Sequence, residues 1–264
     1  MCETCGCSDA GVRVEVPGQR SAAGGSEHDH SHEHLHARPH PPDHDHPHRG
    51  ETRTITLEHR VLAKNDALAA DNRSWLAARG IAAVNLMSSP GTGKTSLLER
   101  TIRESAGRRA IGVVEGDQET LFDAERIKAA GAPVVQINTG AGCHLDADML
   151  RRGFDALDPE AGSLLLVENV GNLVCPALFD LGESAKVVII SVTEGDDKPL
   201  KYPHMFAAAD LVVVNKIDLL PYVDFDLARC TTDARSVNPG VEVLALSART
   251  GEGMPAWTAW LDGL

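Results

Sequence analysis

The stretch Ser88-Ser89-Pro90-Gly91-Thr92-Gly93-Lys94-Thr95 constrains this chain more than any other, because it lies between an apolar run at Ile81–Met87 and a helical pattern beginning at Ser96. A strand that turns through glycines into a helix N-terminus makes a phosphate-binding loop. Gly91 and Gly93 let backbone N–H groups approach phosphate oxygens, and the helix dipole adds positive potential. In this pattern Lys94 reaches the β- and γ-phosphates, and the Thr95 hydroxyl ligates Mg²⁺. Thr92 and Ser96 complete the expected phosphate-binding set. One departure is visible: Ser88 stands where the GxxxxGKS/T pattern has its first glycine.

The surrounding sequence suits that loop. Apolar β-type runs recur at Ile81–Met87, Ala110–Val114, Val134–Ile137, Leu164–Val167, Val187–Val192, Leu211–Val214 and Val241–Leu246. Helical patterns fall at Val61–Ala78, Ser96–Ala106, Leu121–Ala130 and Asp146–Leu157. Near-continuous apolar strands alternating with helices predict an α/β domain, a P-loop fold with a mostly parallel sheet flanked by helices. In such sheets ligands bind beyond the carboxyl ends of the strands.

Composition divides the chain into three zones. Residues 1–20 carry a cysteine motif, 21–50 a His-rich tract expected to be disordered, and 51–264 the globular P-loop domain. The tract, rich in His, Pro, Asp and Glu, cannot bury enough apolar surface to offset the entropy of ordering. Roughly 210 residues remain, enough for one α/β domain. The net charge of −13 argues against a nucleic-acid or anionic-membrane binder, since either favours a basic face. No signal-type N-terminus and no run of about eighteen apolar residues is present, so a cytoplasmic protein is expected.

The base is read further along. The run at Leu211–Val214 ends in Asn215-Lys216-Ile217-Asp218, the NKxD pattern. A carboxylate at Asp218 accepts from both the N1–H and the 2-amino group of guanine. Adenine lacks both donors, so the pattern selects GTP and GDP. Ser247-Ala248-Arg249 after the last strand resembles the SAK element of GTPases. Two strand ends carry acids: Glu115-Gly116-Asp117 and Glu168-Asn169-Val170-Gly171. Asp117 and Glu168 either hold the Mg²⁺ shell and the attacking water, or cap the following turns. Asn172 stands where Ras-type switches have a water-orienting Gln, so intrinsic turnover is expected to be slow. No arginine is assignable as a transition-state finger from spacing.

The chain has six cysteines, and their layout is poor for a disulfide framework. Cys2, Cys5 and Cys7 give three thiols beside the α-amine, a soft donor set suited to square-planar Ni(II) over Zn(II). The nine histidines from His28 to His48, interleaved with acids, suit loose multi-ion binding or a plain polar linker. Cys143 and His144 are adjacent, and Cys175 follows the Glu168 element. Such residues form either a metal site or ordinary core cysteines, the latter being the expectation for Cys230.

Taken together, CxxCGC, the His tract, SSPGTGKT, GAGCHLDADML, ENVGNLVCPALFDLGE, NKIDLLPY and SARTGEGM resemble the HypB family of hydrogenase nickel-incorporation GTPases. The resemblance covers residues 1–7 and nearly all of 55–264. It implies a tight nickel site at Cys2, Cys5 and Cys7, and a second site for nickel or zinc at Cys143, His144 and Cys175. It also implies a GTP-dependent homodimer, a zinc-containing hydrogenase accessory protein as partner, and delivery of nickel to the hydrogenase large subunit. A nickel buffer and a urease-type nickel-insertion GTPase are the alternatives. The latter is disfavoured because its metal motif is Cys-Pro-His. Since Glu168 and Cys175 share one short loop, coupling between nucleotide and metal is expected.

Overall fold

The computed structural model describes residues 13–15, 50–117, 122–140 and 142–264. Cys2, Cys5, Cys7, the His tract and Leu121, the expected start of one helix, lie outside these residues. Eight strands form one sheet: β1 Arg13–Glu15, β2 Ala82–Ser88, β3 Ile111–Asp117, β4 Val134–Asn138, β5 Leu164–Glu168, β6 Ala185–Ser191, β7 Leu211–Asn215 and β8 Glu242–Ala245. Their order is β1-β4-β3-β5-β2-β6-β7-β8, and every pairing except β1 with β4 is parallel. Each expected apolar run is therefore a strand. β1 was not legible in the sequence, and it adds an antiparallel edge beside β4 through the register Val14–Ile137.

Alternation along the strands explains the layering. On β2, Ala82, Val84 and Leu86 face a core shared with α2 (Lys94–Glu104), α3 (Phe122–Ala130) and α8 (Met254–Asp262). Ala83 points the other way, beside Leu76 of α1 (Gly50–Ala77) and Leu150 and Phe154 of α4 (Ala147–Leu157). Val188 and Ile190 of β6 pack with Met205 and Phe206 of α6 (Pro203–Ala207) and Cys230 of α7 (Leu227–Val237). Cys230 is thus a core residue, as expected. The first helix starts earlier than Val61, since a nucleated helix gains one hydrogen bond per added residue. A short helix, α5 (Lys198–Lys201), precedes α6. Among the described residues no helix is long and apolar enough to cross a membrane.

Strand order reverses around β2, whose neighbours are β5 and β6. The crevice at such a reversal opens at the carboxyl ends of the strands. The phosphate loop leaves β2 at that point.

Candidate functional site

The phosphate loop is held by its own side chains. Lys94 Nζ donates to Ser88 Oγ at 2.8 Å, and Thr92 Oγ1 donates to the same oxygen at 2.8 Å. Ser88 Oγ donates in turn to the Ser89 carbonyl at 2.7 Å. The serine in place of the first glycine therefore rests the lysine inside the loop. Burial lowers the Lys94 pKa, with the negative charge of Glu168 acting against that shift. Gly93 sits at φ 95°, where L side chains are rarely found, and a Cβ there would lie 2.8 Å from Asn215 Nδ2.

The Asn215–Asp218 and Ser247–Arg249 segments are tied to this loop and to each other. Asn215 Nδ2 donates to the Thr92 carbonyl at 2.9 Å, while its Oδ1 accepts from the backbone N–H groups of Lys216 and Ala248. Lys216, at φ 63°, reaches back to the Gly91 carbonyl at 2.6 Å. Ser247 Oγ donates to Asp218 Oδ1 at 2.6 Å, and this bond fixes the orientation of the carboxylate. Three motifs far apart in sequence thus form one rigid cradle.

A cleft of about 550 Å³ runs beside the loop, lined by residues 90–96, Glu115, Asp117, Asp123, Arg126, Cys143 and Glu168 among others. Thr95 Oγ1 donates to Glu168 Oε1 at 2.8 Å. The second oxygens of Glu168 and of Glu115 are buried without a hydrogen-bond partner. These glutamates are register neighbours on β5 and β3. Burial pushes the Glu115 carboxyl up to about 9, and the Glu168 charge adds to the shift. Burial likewise raises Glu168 to about 7, opposed by Lys94 and the Thr95 hydroxyl. Asp117 lies half-buried at the end of β3. A hydroxyl and strand-end carboxylates, one with an open buried oxygen, are the hard oxygen donors that Mg²⁺ prefers. Arg126 is held by Asp123, Ser96 and Glu99, with its donors to Asp123 and Glu99 at 2.9 Å. Ser96 thereby serves as an acceptor for that guanidinium.

The structure also brings together Cys143, His144 and Cys175, whose ligand atoms all lie within 4.8 Å of one another. Cys143 Sγ is 3.7 Å from His144 Nδ1. His144 is buried and stacks on Phe179 with ring centroids 3.9 Å apart. Burial lowers its pKa, against the pull of Asp146, so the imidazole is kept neutral and able to ligate. Two thiols and an imidazole suit Ni(II) and Zn(II), and three donors leave further coordination positions open. Because Cys143 also lines the nucleotide cleft, the two sites adjoin.

Several residues of the site gave no signal in the sequence. Asn65 and Asn72 on α1 bind the backbone of Ala147, and Asn72 also reaches the Leu181 carbonyl. Asn169 Oδ1 accepts from the Leu145 N–H at 3.1 Å. Its Nδ2 donates to Asn85, which donates in turn to Glu183. Asn172 is not poised over the cleft as a water-orienting group: its amide donates to the Cys143 carbonyl and accepts from the Val174 N–H.

Comparison with known proteins gives a consistent picture. Residues 82–245 match the family described as CobW/HypB/UreG, nucleotide-binding domain. The hydrogenase maturation factor HypB of Rhizobium leguminosarum bv. viciae is 58% identical over 212 residues, covering 80% of this chain and 71% of that protein. Its counterpart from Escherichia coli K12 is 53% identical, with 80% and 73% covered. The crystal structure of HypB from Helicobacter pylori in complex with nickel superposes with a TM-score of 0.73 at 37% identity, over 76% of this chain and 94% of that one. That of hydrogenase maturation factor HypB from Archaeoglobus fulgidus gives 0.72 at 42% identity, over 76% and 98%.

Proposed function

The chain belongs to the HypB family of hydrogenase maturation factors, and we propose that it is a GTP-hydrolysing nickel metallochaperone serving the large subunit of a nickel-iron hydrogenase. The observation that carries this reading is the adjacency of two sites of different chemistry. A guanine-nucleotide cradle and a sulfur–nitrogen donor set share Cys143 as a common wall.

In the nucleotide site, backbone N–H groups of residues 91–96 and Lys94 hold the phosphates, and Asn215, Lys216, Asp218, Ser247 and Ala248 read the base. Thr95, Asp117 and Glu168 are the residues that would hold Mg²⁺, which when bound neutralises charge on the β- and γ-phosphates. Glu168 orients the attacking water from its unpartnered oxygen. Among the described residues Arg126 is tied up by Asp123 and Glu99, which supports slow intrinsic turnover.

Nickel is the cargo. Cys143, His144 and Cys175 carry it in the GTPase domain, with zinc as the competing ion, while Cys2, Cys5 and Cys7 form a tighter terminal site. The open coordination positions suit completion by a second copy in a GTP-dependent homodimer. Nickel then passes, with a zinc-containing accessory protein, to the hydrogenase in the cytoplasm.

Complementation tests this reading. In a strain lacking its own maturation factor of this family, the chain restores hydrogenase activity at ordinary nickel supply, whereas C143S combined with C175S does not. A double variant that restores full activity refutes the carrier role. Rescue confined to scarce or excess nickel indicates a buffer.

A further inference from the structure

The loop that follows β5 touches both sites, and it does so through side chains of distinct kinds. On the nucleotide side, Glu168 accepts the Thr95 hydroxyl at 2.8 Å. Gly171 packs on the phosphate loop so closely that a Cβ there would lie 3.0 Å from Pro90 Cγ. On the metal side, two asparagines of the same loop hold the backbone on either side of His144. Asn172 Nδ2 donates to the Cys143 carbonyl at 3.4 Å, and Asn169 Oδ1 accepts from the Leu145 N–H at 3.1 Å.

The far end of the metal-binding segment is fixed elsewhere. Ala147 is bound through its N–H to Asn65 and through its carbonyl to Asn72, both on α1. Leu145 is fully buried and lies against Gly116, where a Cβ would meet its side chain at 2.8 Å. Cys143 and His144 therefore lie between the hydrogen-bonded Thr139–Gly142 turn and a fixed end on α1, gripped midway by the nucleotide-facing loop. The grip itself is stiff. The Asn169 amide also accepts from the Val170 N–H at 2.9 Å and donates to Asn85 Oδ1 at 3.2 Å. Asn85 Nδ2 donates to Glu183 Oε1 at 3.1 Å. Each group in this buried chain has one permitted orientation, so it transmits displacement instead of absorbing it.

We propose that Asn169 and Asn172 are positioning residues that carry the position of the Glu168 loop to the Cys143–His144–Cys175 donor set, so that nucleotide state sets nickel affinity through them. This rests on the reading of that donor set as a nickel site. A ligand shifts such an equilibrium only by its differential affinity for two arrangements. Here the arrangements differ in where Glu168 and Gly171 lie against Thr95 and Pro90. Because Ala147 stays fixed on α1 while the asparagines tie Cys143 and His144 to the moving loop, a shift of that loop changes how these two ligands face Cys175.

The test uses the full chain with Cys2, Cys5 and Cys7 changed to Ser. Ni(II) is titrated by thiolate charge-transfer absorption in the presence of GDP or of a non-hydrolysable GTP analogue with Mg²⁺. The parent shows different nickel affinities in the two states, within the range of about 5- to 150-fold typical of coupled sites. In Asn172→Ala, and more completely in Asn169→Ala, that ratio falls to within about twofold of one, and by reciprocity so does the effect of nickel on nucleotide affinity. A purely structural role weakens nickel equally in both states and keeps the ratio, and that result overturns the proposal while leaving the nickel site standing. Thiolate charge transfer that survives Cys143→Ser combined with Cys175→Ser overturns the proposal together with the reading beneath it, whereas a parent ratio of one overturns the coupling and leaves the nickel site standing. Should Asn169→Ala fail to fold, the half-exposed Asn172 decides the matter alone.

Discussion

Glu115→Gln should remove much of the pH dependence of stability in the nucleotide-free protein. Glu115 is 3% exposed, with one carboxylate oxygen buried and unpartnered beside Glu168. Burial holds its pKa at about 9 against an ordinary 4.5, so between those values the folded chain keeps a proton that the unfolded chain has released. The folded state then binds more protons, and stability falls as pH rises. One retained proton costs about 1.4 kcal/mol per pH unit, so from about pH 5.5 to about pH 7.5 the loss attributable to Glu115 is about 3 kcal/mol. Glu168, raised to about 7, adds to the loss over the lower part of that range. Gln mimics the protonated acid without a proton to lose. Urea unfolding of metal- and nucleotide-free protein at the two pH values checks this, each variant serving as its own control for cysteines and histidines. The wild type should lose several kcal/mol across the range and Glu115→Gln should lose about 3 kcal/mol less. Identical pH dependence in the two proteins would refute the reasoning.

Three other outcomes follow from the same geometry. Asp218→Asn should weaken GTP and favour xanthosine triphosphate, whose 2-oxo group accepts from the new amide; retained preference for GTP in competition binding would show that Asp218 does not read the base. Gly93→Ala should abolish detectable nucleotide binding, since the new Cβ combines a left-handed backbone with contact on Asn215 Nδ2, and wild-type affinity by calorimetry would contradict this. Deleting Ser26 to His48 should remove most weak, multi-ion nickel capacity while leaving GTP hydrolysis intact, so an unchanged nickel stoichiometry would exclude a storage role for the tract.

The sheet was legible because the inner parallel strands, buried on both faces, read as apolar runs: Val187 to Val192 needs no context to be recognised. β1 was not, because Arg13-Val14-Glu15 has one apolar residue and becomes a strand only by pairing with the exposed edge of β4. The nucleotide motifs were legible for a related reason: phosphate loops and NKxD pack their chemistry into a few adjacent residues. Cys143, His144 and Cys175 were suggestive in sequence, but their convergence depends on the folding of two loops. The asparagines that hold those loops left no local trace. Asn65, Asn72 and Asn169 bond to backbone groups many residues away, and a polar side chain facing a distant N–H or carbonyl looks in sequence like any surface amide. Ser88 was visible only as a departure from a motif, and its use as the resting acceptor for Lys94 emerges from the loop's geometry.

That the GTPase domain itself carries nickel is decided by X-ray absorption at the nickel edge on the chain with Cys2, Cys5 and Cys7 changed to Ser and residues 26–48 removed. The expected spectrum contains sulfur and imidazole scatterers around one bound ion, and both sulfur scattering and tight binding are lost in Cys143→Ser combined with Cys175→Ser. Nickel held with the same stoichiometry and the same scatterers after that double change would contradict the assignment.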